Sequence, residues 1–183
     1  MVVQIQTPLS DEVVLGLKAG DEVRITGVLY TARDAAHEKL KRLLLEGKEL
    51  PFDIRGQIIY YAGPTPAKPG RAVGACGPTT SRRMDPYVPL LLAHGLKGMI
   101  GKGRRSASVT QAIAQHHAVY MVTIGGAAAL LSRHIRKAEV VAYPEMGPEA
   151  IYKLTIEEFP AIVATDAYGN DVFAQVSNSW RRP

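Results

Sequence analysis

Residues 97–124 read KGMIGKGRRSASVTQAIAQHHAVYMVTI, and this stretch decides the fold class. A short strand pattern at residues 97–100 is followed by a predicted helix from about residue 108 to residue 116 and by a strand pattern at residues 119–124. Strand, helix and strand in this order are typical of a parallel βαβ unit, because parallel neighbours need a crossover connection. The stretch therefore predicts an α/β protein.

The alternation of strand and helix continues on the N-terminal side of this stretch. Residues 22–29 and 54–62 have the composition of strands, and residues 31–46 between them have the periodicity of an amphipathic helix. Thr31 is predicted as the N-cap of that helix, and Asp34 completes an acidic variant of the capping box. The middle of the chain thus predicts a mostly parallel sheet flanked by helices.

The two ends of the chain have a different pattern. Residues 2–6 alternate weakly and predict an edge strand. Short strands are predicted towards the C-terminus at residues 151–156, 161–165 and 171–174. The expected fold is therefore a central, mostly parallel sheet with helices plus a second antiparallel sheet, in a single domain that covers residues 1–183.

The composition favours a folded protein that attracts anions. The chain has 183 residues, of which 46% are hydrophobic, so it can bury one sizeable core. Its formal net charge of +5 favours nucleic acid, a membrane surface or small acidic molecules as partners. Only 7% of the residues are aromatic, which disfavours a nucleic-acid interface because such interfaces combine basic and aromatic side chains.

The cysteine and hydropathy patterns argue against two further classes. Cys76 is the single cysteine, so the chain cannot by itself supply the thiolates of a zinc site or an iron–sulfur cluster. It lies in an apolar run and is predicted as a buried small side chain. No signal-peptide pattern opens the chain, and its most apolar segment, residues 118–131, is too short to span a bilayer. We therefore expect a cytoplasmic protein that does not bind a membrane.

Residue types that bind anions recur at three predicted strand-to-helix junctions. Arg33 lies at the first, residues 77–85 (GPTTSRRMD) form the second, and Lys102 lies between two glycines at the third. Asp85, followed by Pro86, is predicted to cap the helix after the second junction. In a parallel sheet such junctions lie at the carboxyl ends of the strands and converge on one crevice. Three cations in one crevice suit a dicarboxylate or a polyphosphate better than a monoanion.

Each of these residues also has a purely structural interpretation, which the pattern alone leaves open. Arg33 suits the surface of a capped helix, and Lys102 suits a solvated turn. Thr79 and Thr80 are common helix caps. The Gly-Lys-Gly run lacks the spacing of a Walker A loop, so an ATP site is not expected.

Three further basic residues are interpreted from their neighbours. His37 shares a helix face with Arg33, so it either contacts the ligand or lies on the helix surface. Arg104 and Arg105 follow the glycine-flanked lysine and are predicted as solvated charges.

Taken together, the motifs resemble a known family. Residues 31–37 (TARDAAH), 77–85 and 100–103 (IGKG) resemble the β subunit, or C-terminal domain, of class I fumarate hydratases and L(+)-tartrate dehydratases. The likeness continues in order through residues 125–128 (GGAA), 149–154 (EAIYKL), 158–160 (EFP) and 166–170 (DAYGN). It covers nearly the whole chain, and the GPTT motif is a specific part of it.

The resemblance implies a swivelling β/β/α domain that works against an α subunit or N-terminal domain. In this family that partner holds a [4Fe-4S] cluster through three cysteines, and one iron acts as a Lewis acid on the substrate hydroxyl. A chain with Cys76 as its single cysteine would have to take its cluster from such a partner. The resemblance therefore implies a [4Fe-4S] cluster that this chain does not ligate, and a homo- or hetero-oligomer.

The resemblance also implies roles for five residues. Thr79 corresponds to the threonine implicated as the base that removes the proton next to a substrate carboxylate. Arg33, Arg83 and Lys102 correspond to residues that hold the substrate carboxylates, and Thr80 adds a hydrogen bond. The charges of these residues would stabilise the aci-carboxylate that forms as the proton leaves.

Three functions follow as hypotheses, in order of preference. The first is the β subunit of an iron–sulfur hydro-lyase that interconverts fumarate and L-malate, a C4 dicarboxylate pair. The second is the β subunit of an L(+)-tartrate dehydratase, which forms oxaloacetate. The third, more distant, is a basic module that binds nucleic acid or another anion and needs no partner subunit.

Overall fold

The computed structural model of the chain describes residues 2–124 and 126–179, with side chains as far as residue 175. The strands are β1 Val2–Gln6, β2 Glu22–Thr31, β3 Ile58–Tyr60, β4 Gly98–Gly101, β5 Val119–Val122, β6 Ile135–Ala142 and β7 Ile151–Thr165. The α-helices are α1 Asp11–Gly16, α2 Asp34–Leu45, α3 Val88–Ala93, α4 Ala107–Gln115, α5 Ala128–Leu131 and α6 Val172–Ser179. Short 3-10 helices cover Ser81–Met84, Ser132–His134 and Pro144–Glu149. Gly125, part of the GGAA motif, lies outside the described residues.

The middle of the chain forms the predicted parallel sheet. Strands β2, β3, β4 and β5 are neighbours in this order, and each pairs in parallel with the next. Helix α2 connects β2 to β3, and helix α4 connects β4 to β5. Strand β1 pairs in parallel with β2 at the edge of the sheet, as expected from its alternation. The prediction of a mixed α/β fold with a parallel centre is confirmed.

The antiparallel strands join the same sheet. Strand β7 pairs antiparallel with β5 and β6, and also with β2, so that β2, β3, β4, β5 and β7 form a closed ring of strands. The second sheet expected from the sequence is therefore part of the first in the described residues. The two strands predicted at residues 151–156 and 161–165 are one strand, because pairing with β2 continues on both sides of an irregularity at residues 157 and 158, where Glu158 is left-handed (φ 53°).

Alternation along the strands builds a core on each face of the sheet. Ile58 and Tyr60 pack with residues of β2 and β7 in one core, whereas Ile59 and Tyr61 pack under the helices α2, α3 and α4 in the other. The central strands β3, β4 and β5 are buried on both faces, as parallel strands in α/β proteins are. The loops at their carboxyl ends are therefore the part of this region that faces solvent.

The predicted capping box at the start of α2 is wrong. Strand β2 continues through Thr31, which is buried, and the Thr31 hydroxyl accepts the backbone N–H of Tyr152 at 3.1 Å. Helix α2 begins at Asp34 after Arg33, which is the N-cap but makes no side-chain capping hydrogen bond. A buried hydroxyl needs a hydrogen-bond partner, and for Thr31 that partner is the backbone of β7 rather than the first turn of α2.

The predicted helix start at Asp85 is also wrong. The chain makes a 3-10 turn at Ser81–Met84, and helix α3 begins only at Val88. The Asp85 carboxylate instead accepts the backbone N–H of Ser106 at 2.8 Å, and Ser106 is the N-cap of α4. Asp85 therefore stabilises the start of α4 rather than the start of α3, the helix that follows it in the chain.

The remaining differences concern the lengths and types of elements. Of the strand predicted at residues 54–62, only Ile58–Tyr60 pairs. The segment at residues 171–174 is the start of helix α6, because Asp171 accepts both the hydroxyl hydrogen of Thr165 at 2.9 Å and the backbone N–H of Ala174 at 3.0 Å. Among the described residues, the helices all lack the length and hydropathy needed to cross a membrane.

Candidate active site

The three predicted junctions lie side by side at the carboxyl edge of the parallel strands. Arg33 follows the end of β2. Lys102 follows the end of β4 and opens the loop at residues 102–106, the Lys102 loop. The loop at residues 77–85, the Thr79 loop, packs on Tyr61, which follows β3. Because β3 lies between β2 and β4, the loop of Thr79 occupies the centre of the arrangement. The structure thus brings the three sequence motifs to one edge of the sheet.

Thr79 is fixed by two hydrogen bonds to one acceptor. Its backbone N–H and its hydroxyl both donate to the carbonyl oxygen of Tyr61, at 2.7 Å and 2.8 Å. The side chain is partly buried, and it does not cap a helix. These bonds set the rotamer of the hydroxyl and leave its lone pairs directed away from the carbonyl oxygen.

Thr80 and Lys102 are neighbours across a single parallel β-bridge, next to which the N–H of Ser81 donates to the carbonyl oxygen of Lys102 at 3.1 Å. Gly101 permits this approach, since a Cβ atom there would overlap the Ser81 hydroxyl and the ring of Tyr61. The side chains of Thr80 and Lys102 are exposed. Both can therefore reach a ligand bound over the edge of the sheet.

The two arginines are held by carboxylates near the start of α2. Arg33 Nε lies 3.5 Å from Glu149 Oε1, and the Arg33 side chain is 27% exposed. Arg83 Nη2 lies 3.0 Å from Asp34 Oδ2, with 49% of the Arg83 side chain exposed. Since Asp34 follows Arg33 directly, the ion pair draws Arg83 towards the first turn of α2. The positive end of the α2 dipole lies at the same place and adds to the attraction for an anion.

His37 lies behind Arg33 and is fully buried, so it is neither a surface residue nor exposed to a ligand in this chain. Its Nδ1 lies 2.9 Å from the carbonyl oxygen of Arg33, and its ring contacts the rings of Tyr61 and Tyr87. Burial lowers the pKa of His37 to about 4, so the imidazole is neutral at pH 7. It supports the first turn of α2 from the core.

Sequence reasoning missed a buried ion pair under the site. Arg105, predicted as a solvated charge, is buried, and its Nε lies 2.8 Å from Asp85 Oδ1. Its Nη1 donates to the hydroxyl of Tyr61 at 3.0 Å. Tyr61 and Tyr120 are core residues whose phenol groups need polar partners, but the sequence does not identify Arg105 as that partner.

Cys76 is buried, as predicted, and burial raises the pKa of its thiol to about 12. A metal ligand must be the thiolate, so this sulfur is a poor ligand. Within residues 2–124 and 126–179 the structure places no three His, Cys, Asp or Glu side chains together as a metal site. The residues of this chain therefore do not fit an iron–sulfur cluster.

The candidate residues face outwards. Thr80, Arg83 and Lys102 are exposed, and Arg33 and Thr79 are only partly buried. A cavity of about 690 Å³ lies beside α4 and the loop of Tyr168, and its lining includes none of these five residues. The charges at this edge of the sheet suit a carboxylate, and the partly buried Thr79 lies beside the exposed Thr80.

Comparison with known proteins identifies relatives of two kinds. The anaerobic class I fumarate hydratase of Escherichia coli (strain K12) is 49% identical over 156 residues, which are 84% of this chain and 28% of that protein. Fumarate hydratase 2 of Leishmania major is 42% identical over 158 residues, 85% of this chain and 28% of that protein. A Methanocaldococcus jannaschii protein, named provisionally as L(+)-tartrate dehydratase subunit beta, is 36% identical over 167 residues. That match covers 88% of this chain and 86% of the relative.

The chain spans about 28% of the length of these fumarate hydratases and most of the tartrate dehydratase subunit. The sequence model of the Fumarase C-terminus family matches residues 1–176. This match includes all three motifs at the edge of the sheet. The match to this model shows that the chain belongs to the Fumarase C-terminus family.

Proposed function

We propose that this chain is the β subunit, or the equivalent part, of a hydro-lyase that interconverts fumarate and L-malate. The observation that carries the proposal is the convergence of Arg33, Thr79 and Lys102 at the carboxyl edge of β2, β3 and β4. The names of the fumarate hydratase relatives support the reaction. In this proposal residues 1–183 act as one domain of the swivelling β/β/α type in the cytoplasm.

The substrate in this proposal is held through its two carboxylates. Arg33 and Arg83 present guanidinium forks, which pair with a carboxylate through two parallel hydrogen bonds. Lys102 supplies a third cation, and Thr80 beside it supplies a hydroxyl donor. The carboxylates of Glu149 and Asp34 occupy the arginines in the chain alone, so a bound substrate would exchange places with them.

Thr79 would remove the proton next to a substrate carboxylate. A threonine hydroxyl is a poor base in water, so this step needs a site from which water is excluded and an acceptor for the threonine proton. The exposure of the neighbouring Thr80 and Lys102 supports the proposal that a partner provides both. The cations around Thr79 would stabilise the aci-carboxylate that forms, since its charge develops beside them.

The partner in this proposal is a cluster-bearing α subunit or N-terminal domain. The single, buried Cys76 of this chain does not fit a cluster, so the partner would hold the [4Fe-4S] cluster. When bound there, the cluster supplies a Lewis acid for the substrate hydroxyl. This chain contributes the carboxylate contacts and the base.

L(+)-tartrate dehydration to oxaloacetate is the second candidate. It is favoured by the relative named as a tartrate dehydratase subunit, of which this chain covers 86%. Tartrate is also a C4 dicarboxylate, and the same cations would bind it. The two candidates differ in a hydroxyl on the substrate that the partner side of the site would contact.

The test is anaerobic co-reconstitution of this chain with a cluster-bearing partner, followed by assays with fumarate, mesaconate and L(+)-tartrate. We expect hydration of fumarate, with neither protein active alone. If the assembled enzyme converts L(+)-tartrate but not fumarate, the second candidate replaces the first. Absence of turnover, together with salt-dependent binding of nucleic acid by the isolated chain, would favour the nucleic-acid hypothesis instead.

A further inference from the structure

We infer that Arg105 is a positioning residue that holds the loop of Thr79 and the loop of Lys102 in their relative arrangement. The inference rests on the proposed function for its meaning, since these are the loops that would carry the base and a carboxylate contact. Arg105 itself is buried beneath them, so it would act through the residues that it touches.

The first arm of this arrangement leads to Thr79. Arg105 Nη1 donates to the Tyr61 hydroxyl at 3.0 Å, and the guanidinium carbon lies 5.2 Å from the centre of the Tyr61 ring. The carbonyl oxygen of the same tyrosine accepts both hydrogen bonds of Thr79. The position of the Tyr61 side chain and the orientation of the Thr79 hydroxyl are therefore set at one residue.

The second arm leads through Tyr120 to Gly103, which follows Lys102. The guanidinium carbon of Arg105 lies 4.9 Å from the centre of the Tyr120 ring. The Tyr120 hydroxyl donates to the carbonyl oxygen of Gly103 at 2.8 Å and is hydrogen-bonded to the Ser81 hydroxyl at 2.8 Å. Tyr120 thus joins the loop after β4 to the loop that carries Thr79.

The third arm is the ion pair with Asp85. One carboxylate oxygen of Asp85 lies 2.8 Å from Arg105 Nε, and the other accepts the N–H of Ser106. Asp85 ends the 3-10 turn of the Thr79 loop, whereas Arg105 and Ser106 belong to the Lys102 loop. The ion pair therefore closes the two loops on each other.

Burying the charge of Arg105 has a cost in desolvation free energy. The desolvation of a buried ion pair can exceed its Coulombic gain, and apolar side chains of similar volume are often as stable. What an arginine adds here is three contacts at once: a hydrogen bond to the Tyr61 hydroxyl, a charge pair with Asp85 and a cation–π contact with the Tyr120 ring. We take this geometry, rather than stability, as the reason for Arg105.

The kinetic test uses the assembled enzyme with three single variants and one double variant. Tyr61→Phe removes the hydroxyl on the Thr79 side, and we expect kcat to fall about tenfold or more while KM changes less than about threefold. Tyr120→Phe removes the hydroxyl on the Lys102 side, and we expect KM to rise about fivefold or more with a smaller change in kcat. Tyr61→Phe should lower kcat less in the Arg105→Lys background than in the wild type. In that background the hydrogen bond to the Tyr61 hydroxyl is already lost, because lysine lacks the guanidinium group that makes it.

Two results would overturn the inference. One is that both tyrosine variants change kcat and KM by the same factors, and the other is that the effects of Tyr61→Phe and Arg105→Lys on kcat are additive in the double variant. Arg71→Lys is the matched control, since Arg71 is exposed and the same change there should leave both constants unaltered.

Hydrogen exchange gives a second test that needs no turnover. The amides of Thr79 and Ser81 donate to the carbonyl oxygens of Tyr61 and Lys102, and in Arg105→Lys we expect them to lose about tenfold or more of their protection. The amide of Thr7, which donates to Thr26 at the end of β1, should keep its protection. Unchanged exchange in the two loops would refute the inference. If the assembled wild type shows no hydro-lyase activity, the proposed function fails, and the exchange result still decides the role of Arg105.

Discussion

The hydroxyl of Thr79 donates a hydrogen bond to the main-chain carbonyl oxygen of Tyr61 across 2.8 Å. A carbonyl oxygen orients the hydroxyl but cannot take up its proton. If Thr79 is to act as a base, an acceptor for that proton must come from outside this chain's own loop. In the proposed function a partner would therefore supply that acceptor. Because the backbone N–H of Thr79 also bonds to Tyr61, a substitution can remove the hydroxyl and leave the backbone contact in place.

The first prediction concerns that hydroxyl. Thr79→Val keeps the shape of the side chain and the backbone hydrogen bond to Tyr61, so the fold should persist. We expect kcat of the assembled enzyme to fall about 10²- to 10⁴-fold, the usual contribution of a general base, and Thr79→Ser to retain much of the activity. Thr155→Val, in strand β7, is the control and should be fully active. Near-normal turnover in Thr79→Val would remove the proposed base.

The second prediction concerns the charge of Lys102. Lys102→Met keeps the length of the side chain but removes the cation, and a charged hydrogen bond to a carboxylate contributes about 1.5–3 kcal/mol. We therefore expect KM for the dicarboxylate to rise about 10- to 100-fold. Lys48→Met is the matched control, since Lys48 lies in the exposed turn after α2 and pairs with Glu46. A similar KM in both variants would show that Lys102 does not touch the substrate.

The third prediction concerns the close contact at Gly101. A methyl group there would overlap the Ser81 hydroxyl and the Tyr61 ring, so Gly101→Ala should lower the free energy of unfolding by about 1–3 kcal/mol. Gly16→Ala is the control, because no atom lies within 4 Å of the position that its Cβ would take. Urea denaturation of the two variants compares them directly. Equal stability of both variants would contradict the packing described between β4 and the Thr79 loop.

The fourth prediction is a pH dependence of stability that arises from His37. Its pKa falls from 6.5 to about 4 on folding, because the buried ring loses the water that would solvate its charge. Between these values the unfolded chain binds a proton that the folded chain does not, so stability decreases as the pH falls from 6.5 to 4. The full effect is about 3 kcal/mol.

The measurement for His37 is urea denaturation of the wild type and of His37→Gln at several pH values. The difference in unfolding free energy between the two proteins should shift in favour of the variant as the pH falls from 6.5 to 4. A difference that does not vary with pH would show that the histidine is accessible to protons in the folded protein.

The fifth prediction concerns Cys76. Because its sulfur is buried and its pKa is raised to about 12, Cys76→Ala should leave the iron content of the assembled enzyme unchanged. We expect a loss of stability of about 1 kcal/mol from the missing sulfur, and turnover within about twofold of the wild type. Loss of iron in this variant would assign a cluster ligand to this chain and overturn the proposed division of labour.

Most of the fold could be predicted from periodicity, because the parallel strands are short apolar runs separated by amphipathic helices. The errors occur where tertiary contacts compete with local preference. Thr31 is a good helix cap in isolation, yet its hydroxyl is taken by β7. Residues 171–174 have a strand composition, yet Asp171 caps a helix because Thr165 holds its carboxylate in place.

The candidate site was predictable as a set of motifs, and the supporting layer was not. Arg33, Thr79 and Lys102 follow strands that the sequence identifies, so their convergence follows from the parallel sheet. Arg105 has the sequence context of a solvated turn, yet it is buried against the rings of Tyr61 and Tyr120. Which side chain enters a core from a loop depends on contacts between distant segments, and local pattern does not encode them.

The pairing of β7 with β2 has a further consequence, for the way in which the chain can move. In a closed ring no strand is an edge strand, so sliding any one strand past its neighbours breaks the hydrogen bonds on both of its edges. The loops that follow β2, β3 and β4 are attached to that ring. In the proposed assembly we therefore expect the chain to move against its partner as one rigid body, which would preserve the spacing of Arg33, Thr79 and Lys102.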